Sequence, residues 1–160
     1  MDDVGSLALL FAWVLAIYGI GTALYGAYSR RRDFVASAEN ATLAVWGMVL
    51  VSTAALLHGL ITSDFSLKYV AHYTSTTLPL QYKVAALWGG QAGSLLFWLV
   101  ILTSMAAVVV LQNRERNREL MPYVNATLLV VCIFFLSMVN FITPPFERLA
   151  FIPPEGRDLN

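Results

Sequence analysis

Residues 84–113 read VAALWGGQAGSLLFWLVILTSMAAVVVLQN and contain no aspartate, glutamate, lysine or arginine. A hydrocarbon core about 30 Å thick is crossed by an α-helix of roughly 20 apolar residues, and this stretch is long enough. Backbone amides cannot stay unpaired in lipid, and the stretch is too continuously apolar for a barrel strand. It therefore predicts a membrane-spanning helix.

Three other stretches are equally free of charge, at residues 4–29, 40–63 and 120–146. Of the 160 residues, 58% are hydrophobic and only 12% are charged, with ten basic and ten acidic side chains that cancel. This balance excludes a basic nucleic-acid-binding protein. We predict an all-α polytopic membrane protein with four transmembrane helices. The helices are expected near residues 5–28, 42–62, 92–111 and 123–142.

Arginine placement predicts how the helices are oriented. Arginines cluster at residues 30–32, between the first two predicted helices, and at residues 114–118, between the last two. Short loops rich in basic residues face the cytoplasm. The N-terminus, the segment 64–91 between helices two and three, and the tail 143–160 are then expected on the outer side.

The outer segment enters the third helix through a run rich in glycine and tryptophan. The candidate site residues in this run are Trp88, Gly89, Gly90, Gln91, Gly93, Ser94 and Trp98. Glycines permit turns and a close approach of another group, and flanking indole rings would suit a flat apolar partner. The alternative is a helix-packing notch with two interfacial tryptophans, which the residues alone slightly favour.

Two histidines, His58 and His72, are the candidate metal ligands, because imidazole binds transition metals and haem iron. His58 lies near the end of the second predicted helix, and His72 lies in the outer segment. A satisfied interfacial side chain is the simpler interpretation of both. Cys132 has no second thiol to pair with and is interpreted as a packing or lipid-facing residue. No catalytic residue is predicted.

Two blocks of sequence carry a resemblance to a known family. The first block contains Asp64-Phe65-Ser66, Tyr69-Val70-Ala71, Leu78-Pro79, Tyr82-Lys83, Trp88-Gly89-Gly90, Gly93-Ser94-Leu95-Leu96 and Trp98. The second block contains Pro145-Phe146-Glu147-Arg148-Leu149 and Pro154-Glu155-Gly156-Arg157-Asp158-Leu159-Asn160. In order and spacing these blocks resemble the CcmF family of cytochrome c maturation proteins, which is grouped with the CcsA and CcmC type of haem-handling membrane proteins.

The resemblance implies outer-face delivery of haem and its covalent attachment to the Cys-X-X-Cys-His thiols of apocytochrome c. Members are described as haem lyases or haem transporters of the bacterial inner membrane. They receive haem from a CcmE-type carrier and work with CcmH-type thiol-handling proteins. The implied cofactor is haem, and the run from Trp88 to Trp98 would help to shape the surface that faces it.

This chain departs from the family pattern at Ala92, where members usually carry glutamate, and at Pro144, where an asparagine is common. The family's Trp-Gly-x-x-Trp-x-Trp-Asp signature and its haem-ligating histidines lie beyond the block that ends this sequence. We therefore expect the N-terminal portion of a larger haem-lyase-type protein, as a split subunit, a truncation or a fragment. Catalysis and stable haem binding would need the missing C-terminal portion or a partner chain.

Two other classes of function stay open at this point. The chain is alternatively a small transporter or channel subunit whose glycine-rich break lines a substrate path. It is also compatible with a structural helix bundle of a larger complex. The four charge-free stretches offer no acidic or basic residue to relay a proton or to coordinate an ion, which argues against a transporter.

Overall fold

The computed structural model describes residues 2–157, so Asp158-Leu159-Asn160 of the second block lies outside the described residues. The helices are α1 (Asp2–Ser29), α2 (Arg32–Thr62), α3 (Lys68–Tyr73), α4 (Leu80–Ala85), α5 (Gln91–Asn113) and α6 (Met121–Ser137). A 3-10 turn at Ala86–Trp88 precedes α5, and a π-helical turn at Met138–Ile142 prolongs α6.

Four helices are long and apolar enough to span a bilayer. These helices are Asp3–Ser29, Arg32–Thr62, Gln91–Asn113 and Met121–Ile142. Their outward surfaces carry large apolar side chains that are more than half exposed, such as Phe11, Met105 and Phe134. Helices that are apolar all round belong in lipid or against other helices. The predicted all-α architecture with four apolar helices is confirmed, and it identifies an integral membrane protein.

The second helix begins at Arg32, well before the predicted start near residue 42. The prediction stopped at charged residues, but the structure accommodates both acidic side chains within the helix. Asp33 occupies the first turn, where a negative charge favours the helix dipole. The Glu39 carboxylate is 5% exposed and lies 2.9 Å from the Arg114 Nε. Because the partner of Glu39 comes from the far end of α5, only the fold shows that this charge can be buried.

The four long helices form an up-down-up-down bundle. Helix α1 packs against α2 and α6, and α5 packs against the same two helices. Only Arg30 and Arg31 separate α1 from α2. A Cβ atom on Gly26 would lie 2.9 Å from the Val35 backbone nitrogen. Glycine at this position therefore lets the two helices approach closely next to their turn.

Polar contacts join the helices across the apolar core. The Trp13 Nε1 donates to the Ser137 Oγ at 3.0 Å, which joins α1 to α6. The Thr42 Oγ1 donates to the Asn125 Oδ1 at 2.7 Å, which joins α2 to α6. Cys132 is fully buried among the helices, so it is a packing residue and does not face lipid.

The bundle has two chemically different ends. We call one the arginine end, which consists of residues 30–32 and 114–118 with the adjoining helix termini. We call the other the loop end, which consists of the linker 63–90 between α2 and α5 and the tail 143–157 after α6. The linker contains α3 and α4, two short helices that were not predicted from the sequence.

Candidate functional site

The linker is fixed to the bundle at the point where it leaves α2. Ser63 ends the helix in the left-handed conformation, with φ of 54°. Its hydroxyl accepts a hydrogen bond from the buried Lys83 Nζ at 2.5 Å. The Asp64 carboxylate accepts bonds from the Ser66 hydroxyl at 2.6 Å and from the Ser66 amide at 3.2 Å. These local bonds direct the chain from α2 into α3.

A single phenol hydroxyl holds α3 against the start of α5. The Tyr69 hydroxyl donates toward the carbonyls of Ala86 at 2.9 Å and Leu87 at 3.1 Å, and it accepts from the Gly90 amide at 3.0 Å. The Tyr69 side chain is buried, and burial raises its pKa to about 12. The phenol is therefore a neutral structural group whose hydroxyl bonds two carbonyls of the 3-10 turn and the amide of Gly90, the residue before α5.

The tyrosine rings of α3 pack against two glycines of the motif, Gly90 and Gly93. A Cβ atom on Gly93 would collide with the Leu87 carbonyl and the Tyr69 hydroxyl, and one on Gly90 would collide with the Tyr73 ring. The two tyrosine rings lie 4.7 Å apart, centroid to centroid. The close approach that the glycines were expected to permit is thus made by side chains of the same chain, as in the packing-notch interpretation. Gly89 is exposed.

The two tryptophans of the motif point away from this packed base. Trp88 is 51% exposed and Trp98 is 59% exposed. The Trp88 and Phe97 ring centroids are 5.7 Å apart, and the Ser94 hydroxyl donates to the Trp88 carbonyl at 2.9 Å. The motif therefore has two buried glycines, Gly90 and Gly93, beside two exposed indole rings.

A separate cavity of about 240 Å³ lies beside the motif. It is lined by Lys68, Tyr69, His72, Tyr73, Gln91, Ala92, Ile142, Thr143, Pro144 and Glu147. The structure thus brings His72 and Gln91 to one cavity, whereas Trp88, Trp98 and His58 do not line it. His58 is exposed on the last turns of α2.

The cavity beside the motif is small, and its lining includes one histidine, His72. Among residues 2–157, no group of three or more histidine, cysteine, aspartate or glutamate side chains is placed to hold a metal ion. Pockets for drug-sized ligands usually measure about 300–1,000 Å³, and the cavity beside the motif is smaller than that range. Within the motif, the exposed Trp88 and Trp98 rings offer flat apolar surface.

The tail packs onto the linker, so the two family-like blocks meet. The Lys68 amide donates to the Glu147 carbonyl at 2.8 Å, and the Lys68 Nζ lies 2.9 Å from both Glu147 carboxylate oxygens. The Leu149 amide donates to the Ser66 carbonyl at 2.9 Å. Residues 66–68 and 147–149 thereby form one short antiparallel pairing, although two membrane spans separate them in the sequence.

A second contact fixes the end of the tail. The Glu155 carboxylate accepts bonds from the Thr76 amide and hydroxyl, both at 2.7 Å. The hydrogen bond from the Thr76 amide, followed by the one from its hydroxyl, holds the pKa of the Glu155 carboxyl below its ordinary value. The Arg157 amide donates to the Ala71 carbonyl at 2.8 Å. The part of the second block that the structure describes is therefore bonded to the first block along its length.

Sequence reasoning gave no separate role to two residues of this site. Tyr69 and Lys83 entered only as members of the matching block, yet the first organises the start of α5 and the second closes the end of α2. The signal that was available is their type: a tyrosine beside glycines, and a lysine in an otherwise apolar segment. Their partners lie up to 21 residues away, so the sequence could not identify them.

Known proteins resemble this chain over its whole length. The chain is 35% identical to the cytochrome c-type biogenesis protein ccl1 of Rhodobacter capsulatus, over 99% of this chain and 24% of that protein. It is 31% identical to the cytochrome c-type biogenesis protein CcmF of Pseudomonas fluorescens, over 100% of this chain and 24% of that protein.

One solved structure, titled as the cytochrome c haem lyase CcmF, matches with a TM-score of 0.85 and 27% identity, over 91% of this chain and 24% of that one. No protein-family model matches the chain. The chain spans about a quarter of the length of the curated relatives that it matches.

Proposed function

Because the chain belongs with the CcmF family of cytochrome c-type biogenesis proteins, we propose that it takes part in cytochrome c maturation, as the N-terminal portion of a haem-lyase-type protein. Its contribution is to outer-face haem delivery and to covalent attachment of haem to apocytochrome c. The remainder of such a protein, or a partner chain, supplies the iron ligands and completes the reaction site.

The observation that carries this proposal is the pair of exposed indoles on a rigid base. Trp88 and Trp98 are each more than half exposed, while tyrosine rings occupy the space beside two glycines of the motif. Large aromatic rings that are exposed beside a rigid element suit an apolar, planar partner, and aromatic rings favour stacked or edge contacts with another ring. A porphyrin has this shape, so the indoles serve as one wall of the haem-facing surface.

The proposal includes a location and partners. Arginine-rich short loops favour the cytoplasm, so the arginine end faces the cytoplasm of a bacterial inner membrane. Both termini and the loop end then face the periplasm. There the complete protein receives haem from a CcmE-type carrier and works with a CcmH-type thiol-handling protein on apocytochrome c. Haem is the cofactor of that complete assembly and is not held by this chain alone.

The test is to replace both indoles and to measure cytochrome c maturation in cells. In a strain that depends on this chain, Trp88→Ala/Trp98→Ala should lower covalently haem-bound cytochrome c about tenfold, since each aromatic contact contributes roughly 0.5–1.5 kcal/mol beyond area burial. The readout is haem-dependent peroxidase staining of the cytochrome at matched abundance of the chain. The control is Phe11→Ala on α1, because Phe11 and Trp98 are both 59% exposed. Unchanged maturation at normal abundance of the double variant would contradict the proposal.

A further inference from the structure

A second cavity, of about 700 Å³, lies at the arginine end between the turn that follows α1 and the start of α6. Its charged lining residues are Arg30, Arg31, Arg32, Arg114, Arg118, Glu39, Glu115 and Glu119. The proposed function gives this cavity no role. Its volume falls within the range of about 300–1,000 Å³ that is typical of small-molecule sites.

The lining has more positive charge than its carboxylates neutralise. Three of the arginines are paired, namely Arg31 with Asp33, Arg114 with Glu39 and Arg118 with Glu115. Within residues 2–157, Arg30 and Arg32 form no ion pair, and the one lining carboxylate that also forms none is Glu119. Five arginines and three glutamates therefore line the cavity, and with Asp33, which pairs with Arg31, the group has a formal charge of +1. The hydrogen bond from Arg118 and, more weakly, the charge of Arg32 lower the pKa of the Glu115 carboxyl, and the remaining positive charge is available to an anion.

The arrangement of the turn concentrates this charge. Arg30 adopts the left-handed conformation with φ of 54°, which is uncommon for a residue other than glycine. Three consecutive arginines then lie where α1 and α2 are drawn together at Gly26. Adjacent like charges repel each other, and a bound anion relieves that repulsion. Guanidinium groups match phosphate oxygens with paired hydrogen bonds, so a phosphate is the anion that this lining fits best.

The walls of the cavity indicate that the phosphate belongs to a lipid. Val35, Ala27 and Pro122 supply apolar surface, and Tyr123, which is 56% exposed, stands at the first turn of α6. Tyrosine rings settle at the level of the lipid headgroups. The cavity therefore lies where an apolar helix surface meets a basic cluster, and basic pockets between spans at that level bind anionic headgroups.

We propose that the cavity at the arginine end binds the headgroup phosphate of an anionic phospholipid, with Arg30 and Arg32 as its main contacts. Acyl chains of the bound lipid lie along the apolar surface beside α6. The site is independent of the haem-facing surface at the loop end, so it stands or falls separately from the proposed function.

The test is lipid binding by the purified 160-residue chain in neutral detergent, followed by native mass spectrometry. Dioleoyl phosphatidylglycerol should be retained, whereas dioleoyl phosphatidylcholine should be lost under the same conditions. Arg30→Gln/Arg32→Gln should weaken phosphatidylglycerol binding about twenty-fivefold, because each basic side chain near the headgroups contributes about fivefold. The matched control is Arg116→Gln, which lies at the same end of the bundle, in the α5–α6 connection, but outside the cavity lining. It should change binding less than about twofold, because its side chain does not line the site.

A third variant separates lost charge from misfolding. Arg30→Lys/Arg32→Lys keeps the charge and should recover most of the affinity, with the thermal unfolding of all variants compared in the absence of lipid. Equal retention of the two lipids would overturn the proposal. An equal loss of phosphatidylglycerol binding in the Arg116 control and in the double variant would also overturn it. Displacement of phosphatidylglycerol by an equal concentration of inorganic phosphate would show a free-anion site and would also overturn it.

Discussion

The loop end and the arginine end connect the same four helices, but they are held together by different kinds of contact. At the loop end a buried, uncharged phenol satisfies three backbone groups, and backbone pairing joins the linker to the tail. Ion pairs occur at both ends, with Lys68 and Glu147 paired at the loop end. Among the ion pairs described at the arginine end, only the Glu39 carboxylate is buried. At the loop end, tyrosine rings occupy the space beside Gly90 and Gly93, whereas the arginine end has an open cavity.

The two kinds of contact differ in how strongly they fix the geometry of each end. Exposed ion pairs contribute only about 0–1 kcal/mol each, because water and salt screen them. A buried hydrogen-bonding group left without its partner costs about 1–3 kcal/mol. Steric fit and buried hydrogen bonds therefore constrain the loop end more closely than exposed ion pairs constrain the arginine end.

The largest expected effect comes from filling a glycine at the loop end. Gly93→Ala places a methyl group against the Leu87 carbonyl and the Tyr69 hydroxyl, and it should lower the free energy of unfolding by about 3 kcal/mol. Gly21→Ala is the control, because no atom lies within 4 Å of its added Cβ. That change should stabilise α1 by about 0.5–1 kcal/mol. Denaturant unfolding in detergent measures both, and similar values for the two variants would remove the distinction between the ends.

A smaller effect is expected from the one buried charge at the arginine end. Arg114→Gln leaves the Glu39 carboxylate buried without its cation, and it should lower the free energy of unfolding by about 2 kcal/mol. This cost is smaller than for a fully buried pair, because the Arg114 side chain is 37% exposed. Adding Glu39→Gln should restore much of the loss. Arg116→Gln, at an exposed position of the same connection, should change the unfolding free energy by less than about 0.5 kcal/mol. If Arg114→Gln lowered the free energy of unfolding more than Gly93→Ala does, the arginine end would be the more tightly constrained.

The smallest effect is expected from removing one hydroxyl. Tyr69→Phe leaves the Gly90 amide without its acceptor and should cost about 1.5 kcal/mol, whereas Tyr82→Phe, at an exposed ring, should be nearly neutral. Burial raises the pKa of Tyr69 to about 12, so the folded state favours the protonated phenol. Its stabilisation is complete below pH 10, the ordinary tyrosine value, and is lost as the pH rises toward 12.

Phenolate absorbance and unfolding measured together across this range test the pH dependence. Wild-type chain should lose stability between pH 10 and 12, and Tyr69→Phe should lose less. Identical alkaline profiles for the two proteins would mean that the Tyr69 hydroxyl is not the group that titrates.

The four spans could be predicted because lipid imposes a rule that a single sequence displays directly. Charge-free stretches long enough to cross a bilayer gave every long helix, and the ends of α5 and α6 lie within a few residues of the prediction. The start of α2 could not be predicted in this way. Whether Glu39 can sit inside a helix depends on Arg114, which reaches it only after α5 has folded back.

The candidate site shows the same division. Its glycines and tryptophans were identified by type and spacing, but the sequence could not say which of them are covered. The glycines are covered by the rings of Tyr69 and Tyr73, which lie on a short helix with no hydrophobic periodicity to predict it. Trp88 and Trp98 remain exposed beside these covered glycines.

The pairing of residues 66–68 with residues 147–149 has a consequence for biosynthesis. Chains emerge from the ribosome N-terminus first, so the linker appears long before the segment that it binds. A nascent chain that has already inserted α2 and α5 still lacks the tail residues with which the linker pairs. The linker therefore makes these contacts only after translation has passed Leu149, and an arrest between α5 and α6 would leave inserted helices with an incomplete loop end.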